Sequence, residues 1–413
     1  MSLSQEYDEN WSIWKKALFK FIFSYFSLYI ILRFLNRFFE IPFKWVIKNI
    51  LGLSYSYNVN GFGSGDHTFA YVTLFINIAL CFLISSLWIL MDIRKKSYNQ
   101  LFYWFVVCLR IFLVYNMLYY GFFKIIQLQF SYPSLTKMLE PLGNSSPMGL
   151  AWTYLGYSKS YNLFMGLMEI TGGLLLIPRR TSTSGAFITM AVMMHVVVMN
   201  FTYDIPVKLF SSHLFLMAFF IFSTDSKRFF NLFVKNKATP AYKFYNPIKN
   251  KIYHKVIFWV KSTLVLLFAG LFFINAAGNG RGKKNNNKPP LFGVWEVEEF
   301  IKEGDTLLPL LTENERWHYL IVENKNSAVI KTMSDLTLSY KFESDTIEKK
   351  LKIYNVVTNG RAKYNFKYQK PEEKKLVLEG NLSSKHIIVK LKRKDFLLDS
   401  REFHWINETP FNR

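Results

Sequence analysis

Among the side chains that can carry a charge or a proton inside or at the ends of apolar stretches, five stand out: Arg110, Lys124, Glu169, His195 and His213. A charged group in hydrocarbon is costly, so such residues face a bundle interior, a cavity or a functional site. Glu169 is the one acid deep in an apolar stretch, and it needs a cationic or protonated partner, with Arg110 as the natural candidate. His195 lies five residues before Asn200, where its stretch ends, and His213 five residues after Lys208, where the next begins. At 1.5 Å per helical residue both histidines sit roughly 7–8 Å below the same interface. Lys124, Asp204 and Lys208 are placed to shape the mouth of a site there.

Four chemistries suit this set. Two histidines at one depth on antiparallel neighbours suit bis-histidine ligation of a haem, with His195 and His213 as ligands. Histidine also passes protons near neutral pH, and Lys or Arg stabilises a quinol anion. A quinone-type molecule held by His195, His213, Asn200, Asp204 and Lys208 is therefore the second candidate. A hydrogen-bond and ion-pair network that only holds helices together is the third. A cavity that recognises a partner without chemistry is the fourth. No third ligand completes a non-haem metal site. Cys81 and Cys108 both fall in apolar segments without a C-x-x-C, and read as small hydrophobes.

The elements that must position these residues are spans. A hydrocarbon core about 30 Å thick needs about 20 apolar helical residues. Seven stretches qualify, near 17–38, 69–92, 100–126, 161–178, 184–202, 208–224 and 256–275. Residues 1–280 hold 26 Lys and Arg but 10 Asp and Glu, whereas 281–413 hold 25 and 19. Acids are scarce where apolar runs are dense, as in a polytopic membrane domain followed by a water-exposed one. The net charge of +22 is thus a topology signal and implies no nucleic acid. Fifteen Lys and Arg fall in the N-terminal segment and alternate loops, against Lys44, Lys48, Lys137 and Lys159 in the opposite ones. The positive-inside rule then puts the N-terminus in the cytoplasm and the C-terminal domain outside. In a Gram-negative host that means an inner-membrane protein with a periplasmic domain. The lipid bilayer is the first expected partner. The basic, aromatic loop 225–255 is expected to lie on the anionic leaflet or simply in solvent.

Gly278 to Pro290 is dense in Gly, Asn and Pro and marks a linker between a membrane domain, 1–277, and a second domain, 291–413. The second domain alternates apolar and polar residues in seven short runs, including Trp317–Val322, Leu336–Phe342 and His386–Leu391. Period two with frequent turns predicts an antiparallel barrel or sandwich. Its opening, Gly293-Val294-Trp295, resembles the G-x-W start of lipocalin-like barrels, in which the Trp stacks on a late Arg; Arg393 and Arg401 are available. A filled core that binds nothing and a small apolar ligand are both compatible with a barrel. The tail 401–413, rich in aromatic and polar residues, is a candidate for docking or for contact with other envelope proteins.

Arg110, Gly121 and Lys124 in one span, followed by Glu169, Gly172, Gly173 and Arg180 in the next segment, resemble the Arg…Gly-x-x-Lys and E-x-x-G-G-L-L-L motifs of DoxX-like membrane proteins. The resemblance covers about residues 100–225. It implies a four-helix core and, since some members are tied to quinone-dependent sulfur oxidation or membrane oxidoreductase complexes, a redox-associated role. Two preceding spans, a seventh and the β domain depart from the short family pattern. The alternative is a non-enzymatic assembly factor or envelope-complex subunit.

Overall fold

The structure is a computed structural model that describes residues 10–53, 65–92, 94–239, 245, individual positions between 252 and 274, 288–355, 363–382, 385–401 and 403–412. The chain forms two compact units, one of residues 1–131 and 146–277, the other of residues 132–145 and 278–413.

The first unit is helical: α1 (Ile13–Phe34), α2 (Asn36–Asn49), α3 (Thr68–Met91), α4 (Asn99–Ile125), then, beyond the short α5 (Leu135–Met138) of the other unit, α6 (Pro147–Tyr157), α7 (Lys159–Leu176), α8 (Ser182–Thr202), α9 (Lys208–Ser223) and α10 (Ser226–Phe233). Several starts are written locally. Ser12, Ser146 and Ser158 cap α1, α6 and α7 through their hydroxyls, and Pro147 stands where a missing N–H costs nothing.

Four helices are long and apolar enough to cross a membrane, α1, α3, α4 and α8, among the described residues. A fifth is made if α9 and α10, bent by 73° at their junction, count as one span. Among the described residues this accounts for four or five of the seven expected spans. Lys159, Glu169 and three glycines dilute α7, although it forms a helix over the expected stretch. Only individual positions of the seventh stretch are described, and most of the linker falls outside the described residues. Helix α2, which carries Pro42 with Glu40 and Lys44 paired across one turn, occupies part of what reads as an external loop.

The second unit is a meander: β1 (Gly293–Lys302), β2 (Asp305–Thr306), β3 (Trp317–Asn324), β4 (Ser327–Thr332), β5 (Thr337–Asp345), β6 (Lys350–Asn355), β7 (Lys363–Glu372), β8 (Lys375–Leu382) and β9 (Lys385–Lys394). Each strand from β3 onward pairs antiparallel with the next, and β1 pairs with both β3 and β9. That closure makes an eight-stranded barrel, with β2 as a short edge on β1, and removes the open-sheet edges a sandwich keeps. Inward side chains such as Trp295, Phe300, Phe342, Phe366, Leu378 and Val389 are 2% exposed or less. Trp295 donates to the Leu291 carbonyl at 2.9 Å. The cation over its ring is Lys370, at 5.7 Å, rather than an arginine. Arg393 sits opposite Trp295 in register and packs beside Gly293, where a Cβ would lie 3.4 Å from its Nε; Arg401 stacks on Phe411.

Strand β3 is buried on both faces because residues 132–145 cover its outside. Leu135 of α5 clusters with Val294, Tyr319 and Ile321, its N–H donates to Glu323 Oε1 at 3.4 Å, and Tyr132 O–H donates to Asp399. A strand covered twice reads as a continuous apolar run, which is what Tyr319–Val322 is.

Candidate functional site

Glycine spacing sets the first polar cluster. A Cβ on Gly121 of α4 would come 2.9 Å from the Gly166 carbonyl of α7, and one on Gly166 would come 2.6 Å from the Gly121 carbonyl. Both helices need glycine to approach this closely. Gly173 meets Met117, so the helices run antiparallel. Lys124 and Glu169 each stand three residues past their glycine, and helical side chains lean toward their own N-terminus. They meet over the glycine contact, with Lys124 Nζ 2.7 Å from Glu169 Oε1 and both side chains buried. Lys124 also lies 5.8 Å from the Tyr120 and Phe130 rings. Glu169 Oε2 has no hydrogen-bond partner among the described residues.

The partner of Glu169 is thus Lys124, not Arg110. Arg110 instead donates Nε to the Leu176 carbonyl at 2.7 Å, and its guanidinium also reaches the Ile177 carbonyl. The last carbonyls of α7 have no intrahelical donor, and a cation at a helix C-terminus satisfies both their lone pairs and the dipole.

The two histidines do not share a site. His195 is exposed on α8. His213 is buried against α1: its ring is parallel to Tyr29 at 3.8 Å, and Tyr25 Oη lies 2.8 Å from Nε2. Nδ1 is 2.6 Å from the Leu209 carbonyl, which can only accept. That fixes the proton on Nδ1 and leaves Nε2 to accept from Tyr25. With both nitrogens engaged and His195 facing outward, bis-histidine haem ligation does not fit these residues. Among the described residues no group of three His, Cys, Asp or Glu is placed to hold a metal.

Asn200 is buried and donates to Ser211 Oγ at 2.9 Å, tying α8 to α9. Asp204 has φ +50°, the left-handed conformation that ends α8, and its exposed carboxylate pairs with Lys208 at 2.7 Å. Neither is part of a shared pocket with the histidines. Asp66, which sequence reasoning passed over, accepts the N–H groups of Lys208 at 2.6 Å and Leu209 at 3.0 Å, capping α9 from a distant loop.

The space next to His213 is the candidate site. A cavity of about 200 Å³ lies between α1, α3 and α9. Its walls are largely apolar or aromatic, with Tyr29, Phe69 and Phe210 among them, and its polar lining includes Arg33, His67, Thr73, Asn77 and His213. The Arg33 guanidinium stacks on Phe210 at 3.8 Å. His67 caps α3, its Nδ1 accepting from Ala70 N–H at 3.1 Å, so its proton sits on Nε2. Burial lowers the His67 pKa, which keeps that ring neutral. Asn77 is 1% exposed, and its Oδ1 has no partner among the described residues. No Asp or Glu is among the lining residues. Of these, only His213 stands out by sequence reasoning; Arg33, a charge in the last turn of α1 and inside an apolar stretch, was a usable signal.

Over 124 residues the chain is 34% identical to an uncharacterized protein, YwoB, of Bacillus subtilis (strain 168), a match that spans 30% of this chain and 79% of that protein. By that coverage the chain belongs to the family of that protein. No family profile matches the chain, and no solved structure matches it.

Proposed function

We propose that this member of the YwoB family is a redox-associated membrane protein that binds a quinone-type headgroup in the cavity between α1, α3 and α9, a reading that rests on the cavity and not on that relative. The observation that carries the reading is the lining: Arg33, two histidines and Asn77 against aromatic walls, with no lining carboxylate. A quinone is a flat ring with carbonyl acceptors that becomes anionic on reduction. It matches aromatic walls, donors and one fixed cation. A volume of about 200 Å³ suits a single ring and is too small for a porphyrin. Arg33 holds a carbonyl or the reduced oxygen, Asn77 supplies an amide, and His213 fixes the Tyr29 wall by stacking. Lys124–Glu169 and Arg110 hold α4 to α7 and stand apart from the chemistry. The DoxX-like order of Arg110, Lys124 and Glu169 supports the redox association. The charge distribution supports a cytoplasmic N-terminus and an external barrel in a bacterial inner membrane.

A second reading, a non-enzymatic envelope-complex subunit, is favoured by the filled barrel and by the exposed Phe403, Trp405 and Ile406 of the tail. The two separate in a titration of the full-length protein, in detergent, with a short-chain quinone, followed by tryptophan quenching. Saturable quenching that weakens about tenfold in Arg33→Leu, the loss expected for one charge-assisted hydrogen bond, supports the first reading. Quenching that never saturates, or that is unchanged in Arg33→Leu, overturns it.

A further inference from the structure

The sharp turn at the end of α9 carries an amphipathic surface of its own. Helix α10 follows within three residues at 73°, so it departs steeply from the direction of the preceding apolar helix. A turn of this size directly after an apolar helix of 16 residues lays the next, amphipathic helix along the membrane surface. Its sequence is S-K-R-F-F-N-L-F, followed by V-K-N-K. Phe229 turns inward onto Phe187 and Phe222, at 5.0 and 5.1 Å, which anchors α10 to α8 and α9. Arg228 lies 3.8 Å from the buried Asp225, which pins the corner. Phe230, Leu232, Phe233 and Val234 remain exposed, with Phe233 and Val234 at 69% and 68%. Lys227, Lys235 and Lys237 are exposed beside them.

We infer that α10 and the residues through Lys237 form a binding surface for anionic phospholipids of the leaflet at which α9 ends. Exposed aromatic and aliphatic side chains directly after a span enter the acyl-headgroup boundary, where they meet hydrocarbon. The three exposed lysines of the same segment meet phosphate. The opposite sign is supplied by the lipid, because the one acid on this corner, Asp225, is buried and bonded to Thr183 at 2.9 Å. A zwitterionic headgroup offers the phosphate with a cancelling cation, so the surface selects anionic lipid. This inference is independent of the quinone reading, whose cavity lies on other elements.

The test uses the full-length protein in detergent, incubated with phosphatidylglycerol or phosphatidylcholine and analysed by native mass spectrometry for retained lipid. A lysine near a charged membrane surface contributes roughly fivefold in binding, so removing three lowers phosphatidylglycerol retention by at least about tenfold. Lys227→Gln/Lys235→Gln/Lys237→Gln is expected to show that loss with phosphatidylcholine retention unchanged, and the triple Lys→Arg variant to restore it. Equal retention of both lipids by the wild type overturns the inference, as does undiminished phosphatidylglycerol in the Gln variant. Should the Gln variant not fold, raised salt on the wild type decides: preferential phosphatidylglycerol retention must fall with ionic strength, and a salt-independent preference overturns it.

Discussion

The helical bundle and the β-barrel solve burial in opposite ways. The barrel interior is largely apolar, with Phe300, Phe342, Leu351 and Ile353 at no measurable exposure, and Arg316 and Thr332 are the buried polar side chains of that unit among the described residues. The bundle interior holds Lys124, Asn162, Glu169, Thr189, Asn200 and His213, each under 6% exposed. Water surrounds a barrel of this kind, so removing apolar surface from solvent is its driving force. Lipid surrounds the spans and is as apolar as leucine, so hydrogen bonds and close glycine contacts hold helices together instead. Polar groups in the bundle are therefore partly glue, and they become evidence of a binding site only where donor or acceptor capacity is left over. That criterion separates Arg110, whose guanidinium is bonded to the carbonyls of α7, from Asn77, whose amide oxygen has no partner among the described residues.

The contrast can be broken most forcefully at its centres. Glu169→Ala leaves the Lys124 ammonium buried without its counter-charge, and about 3–5 kcal/mol of bundle stability should be lost. Lys124→Met/Glu169→Leu should recover most of it, because two charges are removed together. Thermal unfolding in detergent, read on the pair and on each single change, checks this, and an additive double variant contradicts it. In the barrel, Phe342→Ala removes a ring from a filled core and should cost about 3–5 kcal/mol, with quinone binding untouched. Arg110→Ala exposes the α7 carbonyls and should cost about 1.5–3 kcal/mol, the range for charge-assisted bonds. The smallest effect belongs to Glu323, which accepts from Leu135 at the outer face of β3. Burial raises its pKa above the ordinary glutamate value. Its protonated form is thus favoured in the folded state, so its contribution is complete below the ordinary value of about 4.3 and is lost as pH rises through the folded one. Amide exchange at residues 134–138 should accelerate over that window, and Glu323→Gln should flatten the dependence.

Much of the architecture was legible. Alternation in residues 291–413 gave an antiparallel β domain, because a barrel strand with one wet face must alternate. Barrel closure was not legible, since it depends on β1 meeting β9 across about ninety residues of sequence. Strand β4, S-A-V-I-K-T, was missed because six residues without an aromatic leave little pattern. Helix positions of the expected spans were readable from hydropathy, while the number that can cross was not, because α7 trades apolar residues for glycines and Glu169. Spacing of the polar residues along each helix was readable at 1.5 Å per residue; rotation about the helix axis was not. Helix α8 is apolar nearly all round and offers no polar stripe from which to place His195, which is why two histidines at matched spacing from one helix junction end in different surroundings. The Glu169 partner was mistaken for the same reason: Arg110 competes for the α7 carbonyls, and only the matched Gly-x-x-Lys and Gly-x-x-Glu spacing pointed to Lys124.

The most direct test of the central claim is photoaffinity labelling of the full-length protein with an azido-quinone, with labelled peptides mapped by mass spectrometry. Labelling that is displaced by excess unmodified quinone and falls within 29–33, 67–77 and 209–213 is the predicted result. Displaceable label around His195 or Lys124 and Glu169 instead, or labelling that no competitor removes, would contradict it.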